Sequence, residues 1–441
     1  MVATSLSLYN NLKNINAVIL HGACLDGGIS SWLLQKYGGL VDSYSNPTAK
    51  VTFSYIPPGE PLINELNETK DRQIALVDLA LPTTKDTSIL SHTALIIDHH
   101  GSSKQYVDAE SKAESKDDTK KYKIIYEDDY CAAGIIWTKL MRKPLEEAPL
   151  ILQAINYGDI GRLSKDEYPD LFYIYCGLQS ILELYRIRER NIWNYLPAVL
   201  GYIADNENNM LDGYTIIEWI KYYGALLFYD EYNYIKLCLI ESNIGNTRLK
   251  IDENKTDTYR TIFIKNRTTL TSLVAGKTID PAYAPLVMLV NPTGTRFSIR
   301  KIAGEMNADK IAKILDDHGG GHGAAASSAL NIARIRESGI FDSNTIRNLT
   351  TGTIGNPISL PVPIYEHFLK PLTYENIIHI RRIIHIEDGH TIAEKIKQAA
   401  GIINIIIDNG KTTPIVPYAP TKIKKTDKVF VPSETKIPIP Q

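Results

Sequence analysis

Residues 94–104 read Ala94-Leu95-Ile96-Ile97-Asp98-His99-His100-Gly101-Ser102-Ser103-Lys104. A short, continuous apolar run stops on a carboxylate and two imidazoles. Such a run predicts a strand buried on both faces, as in a parallel sheet, with its polar residues gathered at the carboxyl end. Three other stretches repeat the pattern. Ala17-Val18-Ile19-Leu20 runs into His21-Gly22-Ala23-Cys24-Leu25-Asp26-Gly27, and Ile74-Ala75-Leu76-Val77 runs into Asp78. The apolar run Leu150 to Ile155 precedes Asn156-Tyr157-Gly158-Asp159. Val51 to Tyr55 is a further strand candidate, and Ile29 to Tyr37 reads as a helix stopped by Gly38-Gly39. Short apolar strands alternating with helices predict an α/β fold with a parallel N-terminal sheet. Ligands of such sheets bind at the carboxyl ends of the strands, so these four strand ends are where chemistry is expected.

The rest of the chain sets bounds on that reading. Its 441 residues suffice for two or three domains, and 44% hydrophobic against 22% charged residues supports a sizeable core and excludes wholesale disorder. Lys and Arg number 48 against 50 Asp and Glu, a net charge of −2, which gives no reason to expect a polybasic membrane or nucleic-acid coat protein. Cys24, Cys131, Cys176 and Cys238 lie far apart, which excludes a disulfide scaffold and a paired-cysteine zinc cage and points to a reducing compartment. No basic, apolar leader opens the chain, and no apolar run approaches the roughly 20 residues of a membrane span. A cytoplasmic location and no membrane partner are the expectation.

Between Lys104 and Lys123 the composition is that of a solvated surface loop. Leu171 to Tyr234 reads as helices linking two domains. Tyr234–Ser242, Thr261–Lys265 and Ala284–Val290 then read as strands, and Ala308–Asp317 as a helix running into Gly319-Gly320-Gly321-His322. His379 and His385 lie on an Ile-rich stretch and read as structural. Beyond them, six prolines from Pro414 to Pro440 and five lysines from Lys422 to Lys436 predict an extended or disordered tail.

A lone Asp after a strand is commonly a helix cap or turn former. Imidazoles and carboxylates together at several strand ends are different. That donor set suits divalent ions such as Mn²⁺, and two-metal hydrolysis needs a bridging carboxylate.

The order His21-x-x-Cys24-x-Asp26-Gly27, then Asp78, then Asp98-His99-His100, then Gly158-Asp159, then Gly319-Gly320-Gly321-His322 resembles the DHH phosphoesterase superfamily with its DHHA1 domain. That superfamily includes RecJ-type exonucleases, nanoRNases, cyclic-dinucleotide phosphodiesterases and manganese pyrophosphatases. The resemblance covers roughly residues 15–335. It implies a two-domain α/β architecture: a catalytic, metal-binding domain over residues 1–185, a helical linker over 186–233, a smaller mixed-sheet substrate domain over 234–335, and a C-terminal extension over 336–441.

Carried over residue by residue, the resemblance implies two Mn²⁺ ions. His21 and Asp78 would hold the first. Asp26, Asp78, His99 and Asp159 would hold the second, with Asp78 bridging. Asp98 would orient a neighbouring histidine, His100 would face the scissile phosphate, and a water between the ions would be the nucleophile. Cys24 stands where many members carry an aspartate ligand to the first ion. Soft sulfur prefers Zn²⁺ or Fe²⁺, so the first ion's identity stays open, with a small buried thiol beside the site as the alternative.

In the second domain, the glycine run Gly319, Gly320 and Gly321 would let backbone N–H groups approach a phosphate, and Arg300 would grip it with its planar fork. Alongside the first-domain motifs this looks like a substrate-gripping loop in which Arg300 and His322 hold the end away from the metals. Arg162, just after Asp159, is a further phosphate-clamp candidate; for Lys104 a solvated loop residue is the preferred reading. The expected activity is a Mn²⁺-dependent phosphodiesterase acting on short oligonucleotides or nucleotide phosphodiesters. A phosphoanhydride hydrolase and a catalytically inactive nucleotide-binding scaffold are the alternatives, and a homodimer is the oligomeric option.

Overall fold

A computed structural model describes residues 8, 10–22, 24–40, 51–56, 73–79, 81, 93–112, 123–184, 195–240, 243–250, 256–291, 294–317, 319–321, 325–351 and 392–416. His318, His322, His379, His385 and the tail beyond residue 416 lie outside them.

The apolar runs form strands β1 (Ala17–His21), β2 (Thr52–Ile56), β3 (Ile74–Val77), β4 (Thr93–Asp98) and β5 (Lys123–Tyr126). They make a wholly parallel sheet in the order β2-β1-β3-β4-β5. Alternation along the strands buries both faces. Ile19, Leu76 and Ile96 pack on one side with Tyr106, while Val18, Leu20, Val77 and Ile97 join the main core on the other. The strand order reverses between β1 and β3. The crevice at the carboxyl ends there is where an open α/β sheet binds ligand, and β1, β3 and β4 end there in His21, Asp78 and Asp98.

Helix α1 (Leu25–Lys36) crosses the main-core side and is buried from Leu25 to Gln35. Two of its polar residues bond within the helix and to the sheet. Gln35 donates to Ser31 Oγ at 3.1 Å, and the Ser31 and Tyr55 hydroxyls lie 2.8 Å apart. The helix begins directly at Leu25, earlier than the apolar pattern predicts, with Cys24 at its N-cap position. Two further differences follow from length and context. The stretch expected as a solvated loop from Lys104 to Lys123 opens as helix α2 (Gly101–Lys112) and ends in β5; Lys104 is exposed on it, while Tyr106 packs on the sheet. The run Leu150 to Ile155 is no strand. It belongs to a ten-residue helix, so Asp159 reaches the site from a helix C-terminus.

The main-core layer continues through α3 (Ala132–Ile135), which extends as a wider π turn over Ile136–Leu140, and α4 (Leu150–Asp159). Helices α5 (Pro169–Leu184), α6 (Leu196–Asn206) and α7 (Ile216–Ile240) follow, with a short hairpin, β6 (Met210–Leu211) and β7 (Tyr214–Thr215), before α7. The stretch from Tyr234 expected as a strand is the last part of α7, because Tyr234, Ile235 and Cys238 continue its buried stripe.

The second sheet is mixed. It contains β8 (Asn243–Lys250), β9 (Thr256–Lys265), β10 (Leu286–Val290), β11 (Arg296–Lys301), β12 (Gly320–Gly321) and β13 (Ala325–Ala329). Its order is β12-β13-β11-β10-β9-β8, with only β9 and β10 parallel. Helix α8 (Thr269–Thr278) covers one face, and Ile262, Ile264, Val287 and Leu289 there belong to the same core as the first domain. Helix α9 (Ala308–Leu315) covers the other with α10 (Ile332–Ser338) and α11 (Ser343–Thr350). Phe341 closes that second core against Phe263 and Phe297, with ring centroids 5.6 and 6.3 Å away. Helix α12 (Ile392–Thr412) sets Ala399, Ile403, Ile406 and Ile407 into the main core. The fold is thus a two-domain α/β architecture, a parallel sheet joined through helices to a mixed one. Among the described residues no helix is long and apolar enough to cross a membrane.

Candidate metal centre

Asp78 sits one residue beyond β3 with φ +57°, the left-handed region that a non-glycine residue adopts at a cost. Its amide N–H donates to Ile97 O at 3.0 Å, which holds that turn against β4. The result directs a carboxylate, only 2% exposed, into the crevice. Its two oxygens face different partners. Oδ1 lies 3.3 Å from His99 Nε2, while Oδ2 lies 3.6 Å from His21 Nδ1 and makes no hydrogen bond.

Besides the group of Asp78, Asp98, His99 and His100, two triads of ligand atoms meet around this carboxylate, the atoms of each group within 4.8 Å of one another. One is His21, Cys24 and Asp78; the other is Asp26, His99 and Asp159. His99 Nε2 stands 3.1 Å from Asp159 Oδ2 and 4.0 Å from Asp26 Oδ2. Asp26 is fully buried and is fixed by the first turn of α3, whose Ala132 and Ala133 N–H groups donate to its two oxygens at 2.7 and 2.8 Å. Helix N-termini hold anions in this way. Gly27 allows the approach of α1 to β1, since a Cβ there would stand 2.1 Å from His21 O.

The electrostatics describe a cavity crowded with negative charge. Burial pushes the Asp26 carboxyl well up, and the Asp78 and Asp159 charges push it further. Burial acts the same way on Asp78, but the neighbouring His21 and His99 imidazoles outweigh it and hold that group well below the usual carboxylate range. Burial opposes charge on His99, yet Asp159 and Asp78 push it up to about 12. Burial, then Asp78, Asp159 and Asp26, raise the Cys24 thiol. Three carboxylates converging on shared imidazoles, one with an orphaned buried oxygen, form a donor set that fits divalent cations.

Asp98 and His100 have a different task. His100 Nδ1 lies 2.7 Å from Asp98 Oδ1, and Ser103 Oγ donates to the other carboxylate oxygen. The buried Asp98 thereby sets the orientation of His100. Burial opposes charge on His100, but Asp98 raises its pKa overall. Arg162 instead pairs with Asp129 on the surface, both half exposed.

In the second domain, β-register places Arg300 opposite Ala325 and Gly321 opposite Ala326, so the arginine and the glycine run share one region of the sheet. Gly320 and Gly321 are committed to pairing with β13, and Gly319 packs on α9, where a Cβ would stand 2.3 Å from Ala312 O. His322 lies outside the described residues, so Arg300 and the glycines are the part of that cluster on view.

Several participants carry no sequence signal. The Ala132 and Ala133 amides and Ser103 act through backbone or short side chains. Tyr175, on α5, packs its ring against Gly158 beside Asp159 and accepts a hydrogen bond from Gln179 Nε2 at 2.8 Å. Burial raises its phenol, with Asp159 and Cys24 adding to the effect, and the same phenol partly offsets the burial penalty on Arg300. Tyr175 therefore neighbours both the carboxylate cluster and the arginine. Lys277 of α8 also bridges the domains, donating to Gly161 O at 3.2 Å just past Asp159.

No family model matches the chain, and no curated protein matches its sequence. Solved structures similar to it include an uncharacterized protein from Helicobacter pylori, at 12% identity over 74% of this chain and 98% of that one, with a TM-score of 0.26. They also include the pGpG-specific phosphodiesterase PggH from Vibrio cholerae, at 14% identity over 76% and 99%, with a TM-score of 0.36. RecJ from Thermus thermophilus in complex with Mn²⁺ is a third, at 12% identity over 89% of this chain and 60% of that one, with a TM-score of 0.34. This chain's own motif order resembles that of the DHH phosphoesterase superfamily, with His21, Asp78 and Asp98 at the carboxyl ends of the parallel strands.

Proposed function

We propose that the protein is a divalent-metal-dependent phosphodiesterase acting on short oligonucleotides or nucleotide phosphodiesters. The observation that carries this reading is the Asp78 carboxylate, held in a left-handed turn between two triads of ligand atoms with one buried oxygen lacking a hydrogen bond. His21, Asp78, Asp26, His99 and Asp159 would hold two ions, with Mn²⁺ suited to the nitrogen and oxygen donors. When bound, such ions lower the pKa of water and neutralise charge building on a phosphoryl group.

The chain's own residues supply the rest. Asp98 fixes the His100 ring so that a phosphodiester at the centre meets an oriented imidazole. Arg300, half-buried on β11, would bind a phosphate away from the metals through its planar guanidinium. A net charge of −2 disfavours a long polyanion track and suits a substrate of a few nucleotides.

The test is Mn²⁺-dependent release of mononucleotide from a 5′-phosphorylated dinucleotide by the wild type and by Asp78→Asn. Turnover in the wild type that the variant loses supports the reading. Hydrolysis of pyrophosphate with the dinucleotide left intact would move it to phosphoanhydrides. Absence of both turnover and bound metal would leave a nucleotide-binding scaffold.

A further inference from the structure

We infer that the two triads are chemically unequal: His21, Cys24 and Asp78 form a thiolate-containing subsite selective for Zn²⁺ or Fe²⁺, while Asp26, His99 and Asp159 take a harder ion such as Mn²⁺ or Mg²⁺. The inference rests on the metal-dependent reading above and concerns which ions the centre takes.

Cys24 Sγ, His21 Nδ1 or Nε2 and an Asp78 oxygen lie within 4.8 Å of one another. No sulfur enters the other triad. Asp78 divides its carboxylate between them, with Oδ1 towards His99 and Oδ2 towards His21. That Oδ2 is buried and forms no hydrogen bond, so the thiol-bearing side contains an acceptor aimed at a cation.

Cys24 is also poorly suited to a merely structural place. It occupies the N-cap of α1 with φ −130° and ψ 141°, where Ser, Thr, Asp or Asn ordinarily binds the first-turn amides, yet its side chain makes no capping hydrogen bond. It is half-buried, whereas Cys131, Cys176 and Cys238 are buried. Thiolate with imidazole and one carboxylate is a borderline-soft set, and Irving–Williams preference then places Zn²⁺ or Fe²⁺ ahead of Mn²⁺. As the sulfur–metal bond forms, the thiol proton leaves to bulk water.

Cobalt(II) reports the sulfur directly, independently of turnover. Metal-free full-length protein titrated with Co²⁺ should develop a near-ultraviolet sulfur-to-cobalt charge-transfer band. Added Zn²⁺ should bleach it; excess Mn²⁺ should not. Cys24→Ser should lose the band while the second triad still binds metal. Cys24→Asp should bind two ions but lower the preference for Zn²⁺ over Mn²⁺ by about tenfold or more. Co²⁺ binding without the band, or a band that survives Cys24→Ser, overturns the inference and leaves the metal-dependent reading standing. No Co²⁺ bound at all overturns both.

Discussion

Asp78 concentrates the residue-scale argument, since its charge and its backbone conformation can be tested apart. Asn tolerates the left-handed region while removing the charge, and Ala tolerates it poorly. Asp78→Asn should therefore lose on the order of 10²-fold or more in rate and bind less metal, by elemental analysis, while keeping its fold by circular dichroism. Asp78→Ala should add a stability loss of roughly 1–2 kcal/mol in urea unfolding. Asp98→Asn tests a different role. It leaves both triads intact but no longer fixes the His100 ring, so kcat should fall about 10- to 100-fold with bound metal unchanged. Asp78, Asp98, His99 and His100 were legible in the sequence because each directly follows or ends an apolar run. The left-handed turn at Asp78 was not, since it depends on the bond to Ile97 O in a neighbouring strand.

At the scale of elements, the start of α1 is the tightest joint. A Cβ at Gly27 would stand 2.1 Å from His21 O, a backbone atom with no freedom to swing away. Gly27→Ala should therefore destabilise the protein by about 1–3 kcal/mol in urea and weaken metal binding, because it separates His21 from Asp26. Gly158→Ala presses on the Tyr175 ring instead and should disturb Asp159 in the same assays. Two of the elements misread from sequence share one cause. Leu150 to Ile155 and the stretch from Tyr234 are predominantly apolar, and such runs do not distinguish a buried strand from a buried helix. Asp159 was recognisable as a site residue, but its delivery from the end of α4 depended on packing against α5.

Across the whole molecule, the two sheets are tied through α7 and α8. Arg267, just ahead of α8, reaches back to α7, with Nε 2.9 Å from Glu231 Oε1 and Nη2 2.7 Å from Asp230 Oδ2. Glu231 is buried, and Thr271 Oγ1 also donates to it at 3.2 Å. Arg267→Ala leaves that carboxylate without its cation and should cost about 3–5 kcal/mol, read from the urea midpoint. Metal acts on the same scale. Carboxylates crowded at the centre repel one another until cations occupy it, so chelation should lower the melting temperature. Restoring free metal to about 100 times its Kd should return about 2.7 kcal/mol.

The parallel sheet, the strand ends bearing His21, Asp78 and Asp98, and the glycine run beyond Leu315 were determined by the sequence alone. Each is a local pattern in which apolar continuity sets burial and the first polar residue marks the exit from the sheet. Only the tertiary structure decided that Asp26 is held by the α3 amides, that the Tyr175 ring packs against Gly158 beside Asp159, and that Phe341 completes the second core. Those contacts join residues tens to hundreds of positions apart, and their partners are backbone groups and aromatic rings whose spacing along the chain has no period.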